Sequence, residues 1–260
     1  MQFSDYIDDL ARSTGFLSRL PMPARHFSGH DGSLSRAAGM FPAAGLIIAL
    51  CPGLTILILS AFEANAALTA ILALSLLIGV SGALHEDGLA DSADALGARG
   101  GRQQMLEIMK DSRIGTYGVL ALVTSFALRV TALTIIISVI GGWSAFLICL
   151  AVGSASRTAM VWHWTVLPQA RQDGVAASVG APEDRARTLA LISGAALFVL
   201  LVTLASGLVT ALLGLALLAA AAGSWTSLVR SKLGGHTGDT IGATQQICET
   251  VCLATLALLL

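Results

Sequence analysis

Between Arg187 and Arg230 the chain runs for 42 residues without an Asp, Glu, Lys or Arg. That is twice the roughly 20 apolar residues that carry a helix across about 30 Å of hydrocarbon. A soluble helix keeps a polar face and this segment has none, so it belongs in lipid. Ser206-Gly207 divides it into two spans joined by a tight turn. The same criterion marks spans at 39–60, 64–84, 116–140, 142–165 and 241–260, which with 188–206 and 208–229 makes about seven. Composition agrees, since 55% of the 260 residues are hydrophobic and only 12% charged, against about 25% charged in a soluble domain. The expected fold is all-α and polytopic, an integral membrane protein with a single domain over 1–260, because no repeat or low-complexity tract marks a boundary.

The basic residues provide an independent check on these spans. Arg12, Arg19, Arg25 and Arg36 precede the first span, and Arg99, Arg102, Lys110 and Arg113 follow the second. Arg157, Arg171, Arg185 and Arg187 accompany the loop after the fourth, and Arg230 and Lys232 precede the last. With Arg157, in the last part of the fourth span, counted toward the loop that follows it, fourteen of the 15 basic residues fall on one side, and Arg129 lies inside the third span. The positive-inside rule makes that side cytoplasmic, with a cytoplasmic N-terminus. The residues Phe3, Tyr6, Ile7, Leu10 and Leu17 suggest an interfacial amphipathic helix ending at Pro21-Met22-Pro23. Asp5, Asp8 and Asp9 are unlike the basic start of a secretory signal peptide. A net charge of −1 gives no reason to expect a nucleic-acid partner. Cys51, Cys149, Cys248 and Cys252 sit in apolar runs with no zinc-site spacing and read as small buried hydrophobes. Many small residues in the spans permit a homo-oligomer without requiring one.

Polar residues cluster at three places on the cytoplasmic side. In Leu84-His85-Glu86-Asp87-Gly88-Leu89-Ala90-Asp91-Ser92-Ala93-Asp94, a helix puts Asp87, Asp91 and Asp94 on one face. Stacked like charges repel, and a hard divalent cation such as Mg²⁺ relieves them while serving phosphoryl chemistry. The plainer reading is a solvated acidic stripe. In Met109-Lys110-Asp111-Ser112-Arg113-Ile114-Gly115, Lys110 and Arg113 are either membrane anchors or phosphate contacts, and Asp111 is either functional or locally paired. The run Gly234-Gly235-His236-Thr237-Gly238-Asp239-Thr240-Ile241-Gly242 is either a phosphate cradle at a helix start near Thr240 or a turn with Asp239 as N-cap. It lacks the lysine of a P-loop.

Arg129 and Arg157 need partners at membrane depth. Pyrophosphate and Glu249 are both candidates, and Arg157 can also snorkel to the interface. His85 and His236 adjoin acidic clusters as candidate bases, metal ligands or hydrogen-bonding bystanders. His163, between Trp162 and Trp164, reads as part of an aromatic membrane belt.

These three runs, with Ser18-Arg19-Leu20-Pro21-Met22-Pro23 and Phe41-Pro42-Ala43-Ala44-Gly45, resemble the cobalamin synthase family, adenosylcobinamide-GDP ribazoletransferase, over nearly the whole chain. The resemblance implies attack of α-ribazole, or its 5′-phosphate, on adenosylcobinamide-GDP, with release of GMP and formation of adenosylcobalamin or its 5′-phosphate. It implies Mg²⁺ on Asp87, Asp91, Asp94 and Glu86, with Asp111 and Asp239 facing them. Lys110, Arg113 and Arg157 would hold phosphates beside Gly234, Gly235 and His236, and His85 would be the favoured base. The chain has Ala95 where the family often has glycine. A CDP-alcohol phosphotransferase is the nearest rival, since Asp91-Ser92-Ala93-Asp94 and Ala98-Arg99 match the start of its signature, but the downstream aspartate pair is missing. A membrane transporter is the alternative from another class; it would place carboxylates at mid-membrane.

Overall fold

The computed structural model describes residues 3–260. Ten α-helices follow in order: α1 Phe3–Leu17, α2 Phe41–Ala61, α3 Ala66–Ser81, α4 Leu84–Gly97, α5 Arg102–Ile108, α6 Thr116–Val166, α7 Val175–Ser178, α8 Asp184–Ser206, α9 Leu208–Leu233 and α10 Gly238–Leu258. Two short 3₁₀ turns, Ala24–Phe27 and Ala37–Met40, lie between α1 and α2. The described residues contain no strand, only an isolated bridge between Gln169 and His236. Large apolar side chains such as Ile58, Val123, Ile192 and Val209 are more than half exposed. Only lipid covers such a surface at low cost, so the chain is a polytopic helical membrane protein.

Glycines make the reversals. Gly207, at φ 97°, separates α8 from α9 at the expected position. Gly141, at φ 76° and ψ 170°, breaks α6 inside its 51 residues. A straight α6 would set Arg129 and Arg157 about 42 Å apart, yet both bind the carboxylate of Glu249. The chain therefore folds back at Gly141. Among the described residues, five helices are long and apolar enough to cross a membrane, or six if α3 and α4, bent by 89°, form one broken span. That tally takes α6 as a single helix and does not fix the expected seven.

Close helix contacts set the interior. A Cβ on Gly45 of α2 would lie 2.3 Å from the carbonyl oxygen of Gly153 in the second half of α6, so glycine alone permits this approach. Helix α1 ends at Leu17, before the prolines, and docks on the bundle. Ser13 donates to the Ala37 carbonyl at 2.7 Å, and buried Asp9 accepts from Arg36 at 2.7 and 2.9 Å. Within the expected apolar stripe of α1, Leu17 is fully buried, while the side chain of Phe3 lies outside the described residues.

The loops predicted to share one side are tied together. The Leu34 amide donates to the Val179 carbonyl at 2.7 Å, and Arg19 does the same to Val80 at 2.7 Å. Arg102 donates to the carbonyls of Leu233 at 2.6 Å and Ala170 at 2.9 Å. One end of the bundle thus carries the segments 18–40, 82–115, 167–183 and 234–237.

Candidate functional site

Helix α4 is set almost at right angles to α3 by two consecutive left-handed residues, Gly82 at φ 63° and Ala83 at φ 57°. Glycine adopts this conformation freely, whereas alanine there costs about 1–2 kcal/mol. The turn lays the acidic helix against the start of α10. At the crossing, a Cβ on Gly88 would lie 2.6 Å from the Asp239 carbonyl oxygen, and the Gly242 Cα is 3.2 Å from the same point. This backbone contact brings Asp87 and Asp91 to Asp239. Burial, then the neighbouring Asp87, Asp239 and Asp94, push the Asp91 carboxyl up to about 7.

A cavity of about 240 Å³ opens beside these acids. His85, Asp87 and Asp239 line one part; Phe16, Phe41 and Trp164 form an apolar wall; and Arg171 closes it from the 167–183 strap. His85 is buried with Nε2 lacking a hydrogen-bond partner.

The acidic face divides by role. Asp94 accepts from the amides of Gly115 at 2.7 Å and Gly118 at 2.8 Å, capping the N-terminus of α6. Glu86, beside Asp87 in sequence, points into the bundle. It accepts from Gln246 at 3.0 Å and lies 3.4 Å from Arg129. Arg129 binds Glu249 Oε1 at 2.9 Å, and Arg157 binds Oε2 of the same carboxylate at 3.3 Å. Two arginines and two glutamates therefore balance one another in the core, and Arg157 is 1% exposed rather than snorkelling to the interface.

The remaining expected residues lie apart from the cavity. Asp111 is bound by Arg113 through contacts of 2.6–3.1 Å, and this pairing holds its carboxyl down at about 2. Lys110 pairs with Asp173. The glycine run is a fold-back turn. Gly234 takes φ 70° with its amide bonded to Arg230, and His236 donates to Pro168 and accepts from Ala170, both at 2.8 Å. A Cβ on Gly235 would meet the Pro168 carbonyl oxygen at 2.3 Å. Burial lowers the His236 imidazole to about 4, keeping it neutral. Thr237, not Asp239, caps α10 through a Thr237–Thr240 capping box, and the helix begins at Gly238, before Thr240; Asp239 Oδ2, beside the cavity, accepts from Thr237 at 3.2 Å and from Arg171 at 3.2 Å. His163 is fully buried between Thr226 at 2.7 Å and Thr240 at 3.2 Å, a core bridge rather than an interfacial residue.

Arg171 is the cavity residue that sequence reasoning overlooked, having counted only as one of the basic residues of its loop. Its neighbours 168–170, zipped to His236, could not be seen from local pattern.

Among the described residues no three His, Cys, Asp or Glu side chains form a ready-made metal cage. The donor set still fits a magnesium ion, which binds through one or two carboxylates and completes its shell with water and substrate oxygens. Asp87, Asp91 and Asp239 lie close enough to raise the Asp91 carboxyl together with its burial, and Arg171, paired with Asp239, is the cation that opposes them.

Fold and site together define a polytopic membrane protein with an acid-lined cavity at one end of its helical bundle. The family model described as cobalamin-5-phosphate synthase matches residues 9–257, and the chain belongs to that family. It is 50% identical over 259 residues to a protein of Sinorhizobium medicae, covering 99% of this chain and 98% of the relative. It is 49% identical over 257 residues to one of Rhizobium etli, covering 99% of each. A relative from Brucella ovis is 38% identical over 260 residues, covering 100% of each. All three carry the name adenosylcobinamide-GDP ribazoletransferase. No solved structure matches the chain.

Proposed function

We propose that this chain is an adenosylcobinamide-GDP ribazoletransferase. It joins adenosylcobinamide-GDP to α-ribazole, or to α-ribazole 5′-phosphate, and releases GMP as adenosylcobalamin or its 5′-phosphate forms, a late step of vitamin B12 synthesis. The observation that carries this reading is the full-length similarity, 50% identity over 99% of the chain, to a relative bearing that name. The same full-length match favours it over a CDP-alcohol phosphotransferase or a transporter.

The chemistry suits the cavity. Displacement at a pyrophosphate depends mainly on positioning and on neutralising charge. Asp87 and Asp239 line the cavity and would hold Mg²⁺, with Asp91 one turn along α4. When bound, the ion would draw negative charge from the phosphate oxygens. His85, which lines the cavity with Nε2 lacking a partner, would accept the acceptor's hydroxyl proton. Phe41 and Trp164, both buried, give the cavity a wall that excludes water. The loop-bearing end faces the cytoplasm of the bacterial inner membrane, because the basic residues gather there.

The test is GMP release by lipid-reconstituted protein given adenosylcobinamide-GDP and α-ribazole, with Mg²⁺ or with EDTA. Release should require both acceptor and Mg²⁺, and Asp87→Asn should reduce it by at least about 100-fold while the protein stays folded. Absence of release from folded wild-type protein would overturn the assignment. Release undiminished by EDTA would overturn the metal.

A further inference from the structure

Arg171 is the one Lys or Arg among the described residues lining the cavity. Its backbone is fixed by the adjoining Ala170, whose amide donates to His236 and whose carbonyl accepts from Arg102. Its side chain is 15% exposed, with Nη2 3.2 Å from Asp239 and Nε 3.6 Å from Asp173, a carboxylate already bound by Lys110. Nη1 is buried with no hydrogen-bond partner. A guanidinium presents five N–H donors in a planar fork, and a buried donor left without an acceptor is costly. An oxyanion bound in the cavity against this guanidinium would supply the missing acceptor. The cations expected to serve phosphate are elsewhere: Lys110 on Asp173, Arg113 on Asp111 and Arg157 on Glu249.

We propose that Arg171 is the residue that binds the substrate's pyrophosphate, its half-used guanidinium engaging a phosphate oxygen beside Asp239. The inference rests on the transferase reading and adds to it the side chain that receives the nucleoside diphosphate. In the free protein the Asp239 contact holds the fork in place. With substrate present, Asp239 is free for the cation and Arg171 for the anion. Lysine cannot substitute fully, because a point charge does not reproduce two parallel N–H donors.

The test uses the full chain in detergent, with GDP as the probe in titration calorimetry and steady-state GMP release as the second readout. Arg171→Ala should weaken GDP binding at least about thirtyfold, with Arg171→Lys between it and wild type. The KM for adenosylcobinamide-GDP should rise while that for α-ribazole is unchanged. A purely structural Arg171 would act through Asp239, so the decisive comparison is made in Asp239→Asn protein. There the Arg171→Ala loss of GDP affinity should persist; if it vanishes, Arg171 only holds Asp239 and the proposal fails. It fails equally if Arg171→Ala leaves GDP affinity and donor KM at wild-type values. Wild-type protein that neither binds GDP nor releases GMP would overturn the transferase reading itself, and this inference with it.

Discussion

Arg129 Nη1 lies 2.9 Å from Glu249 Oε1, a buried ion pair between residues 120 positions apart in the chain. It joins the first half of α6 to α10, and Arg157 on the second half of α6 binds the other oxygen of Glu249. A single carboxylate therefore holds the hairpin of α6 closed around α10, and through Arg129, and through Gln245 and then Gln246, it also reaches Glu86 at the root of the acidic helix.

Removing one partner from a buried pair leaves an uncompensated charge, at a cost of about 3–5 kcal/mol. Glu249→Gln should therefore lower the thermal unfolding midpoint in detergent sharply. Arg129→Met with Glu249→Gln should cost less than the two single losses added together. Additive losses would show that the pair is not coupled.

The crossing of α4 and α10 gives a contrast between two glycines. A methyl on Gly88 meets the Asp239 backbone at 2.6 Å, whereas one on Gly242 has no neighbour closer than 3.5 Å. Gly88→Ala should destabilise by about 1–3 kcal/mol and depress GMP release by moving Asp87 away from Asp239. Gly242→Ala should be nearly neutral by both measures. Equal effects would mean that the acids do not depend on this contact.

Asp91 sets a pH dependence of definite sign. Its carboxyl is raised from 3.8 to about 7 by burial first and by Asp87, Asp239 and Asp94 next. Between these values the native state binds the proton more tightly than the unfolded chain does. This group's contribution is thus fully present below about pH 4 and is lost as pH rises through 7. Metal-free protein should accordingly show a falling unfolding midpoint from pH 5 to pH 8. Asp91→Asn should flatten that slope, and Mg²⁺ should raise the midpoint most above pH 7, where it no longer competes with protons. Identical profiles for wild type and Asp91→Asn would remove Asp91 as their source.

Topology can be read by labelling. Single cysteines at Arg99 and Lys232, both exposed, should react with an impermeant maleimide from the cytoplasmic side alone. Reaction from opposite sides would contradict the shared end of the bundle.

Much of this protein is set by local sequence. Charge-free runs fix where helices cross lipid, because an unpaired charge or backbone group in hydrocarbon is too costly to place there. Gly207 and the break at Gly141 fall where the apolar runs divide, and the basic loops meet at one end as their distribution requires. The three motifs also suffice to show the family resemblance. Tertiary packing decided what each charged group does. Glu86 and Asp87 are neighbours, yet about 100° of helical rotation sends one into an ion network and the other into the cavity. Asp94 shares the face of Asp87 and Asp91 but meets the first turn of α6 and becomes its cap. Arg157, near enough to its span's end to reach the interface, is instead buried on Glu249. Arg171 has no motif of its own and faces Asp239 because the strap is bonded to His236. Periodicity and hydrophobicity act over a few residues and can be read along the chain, whereas the partner of a charge is chosen by whichever distant helix packs against it.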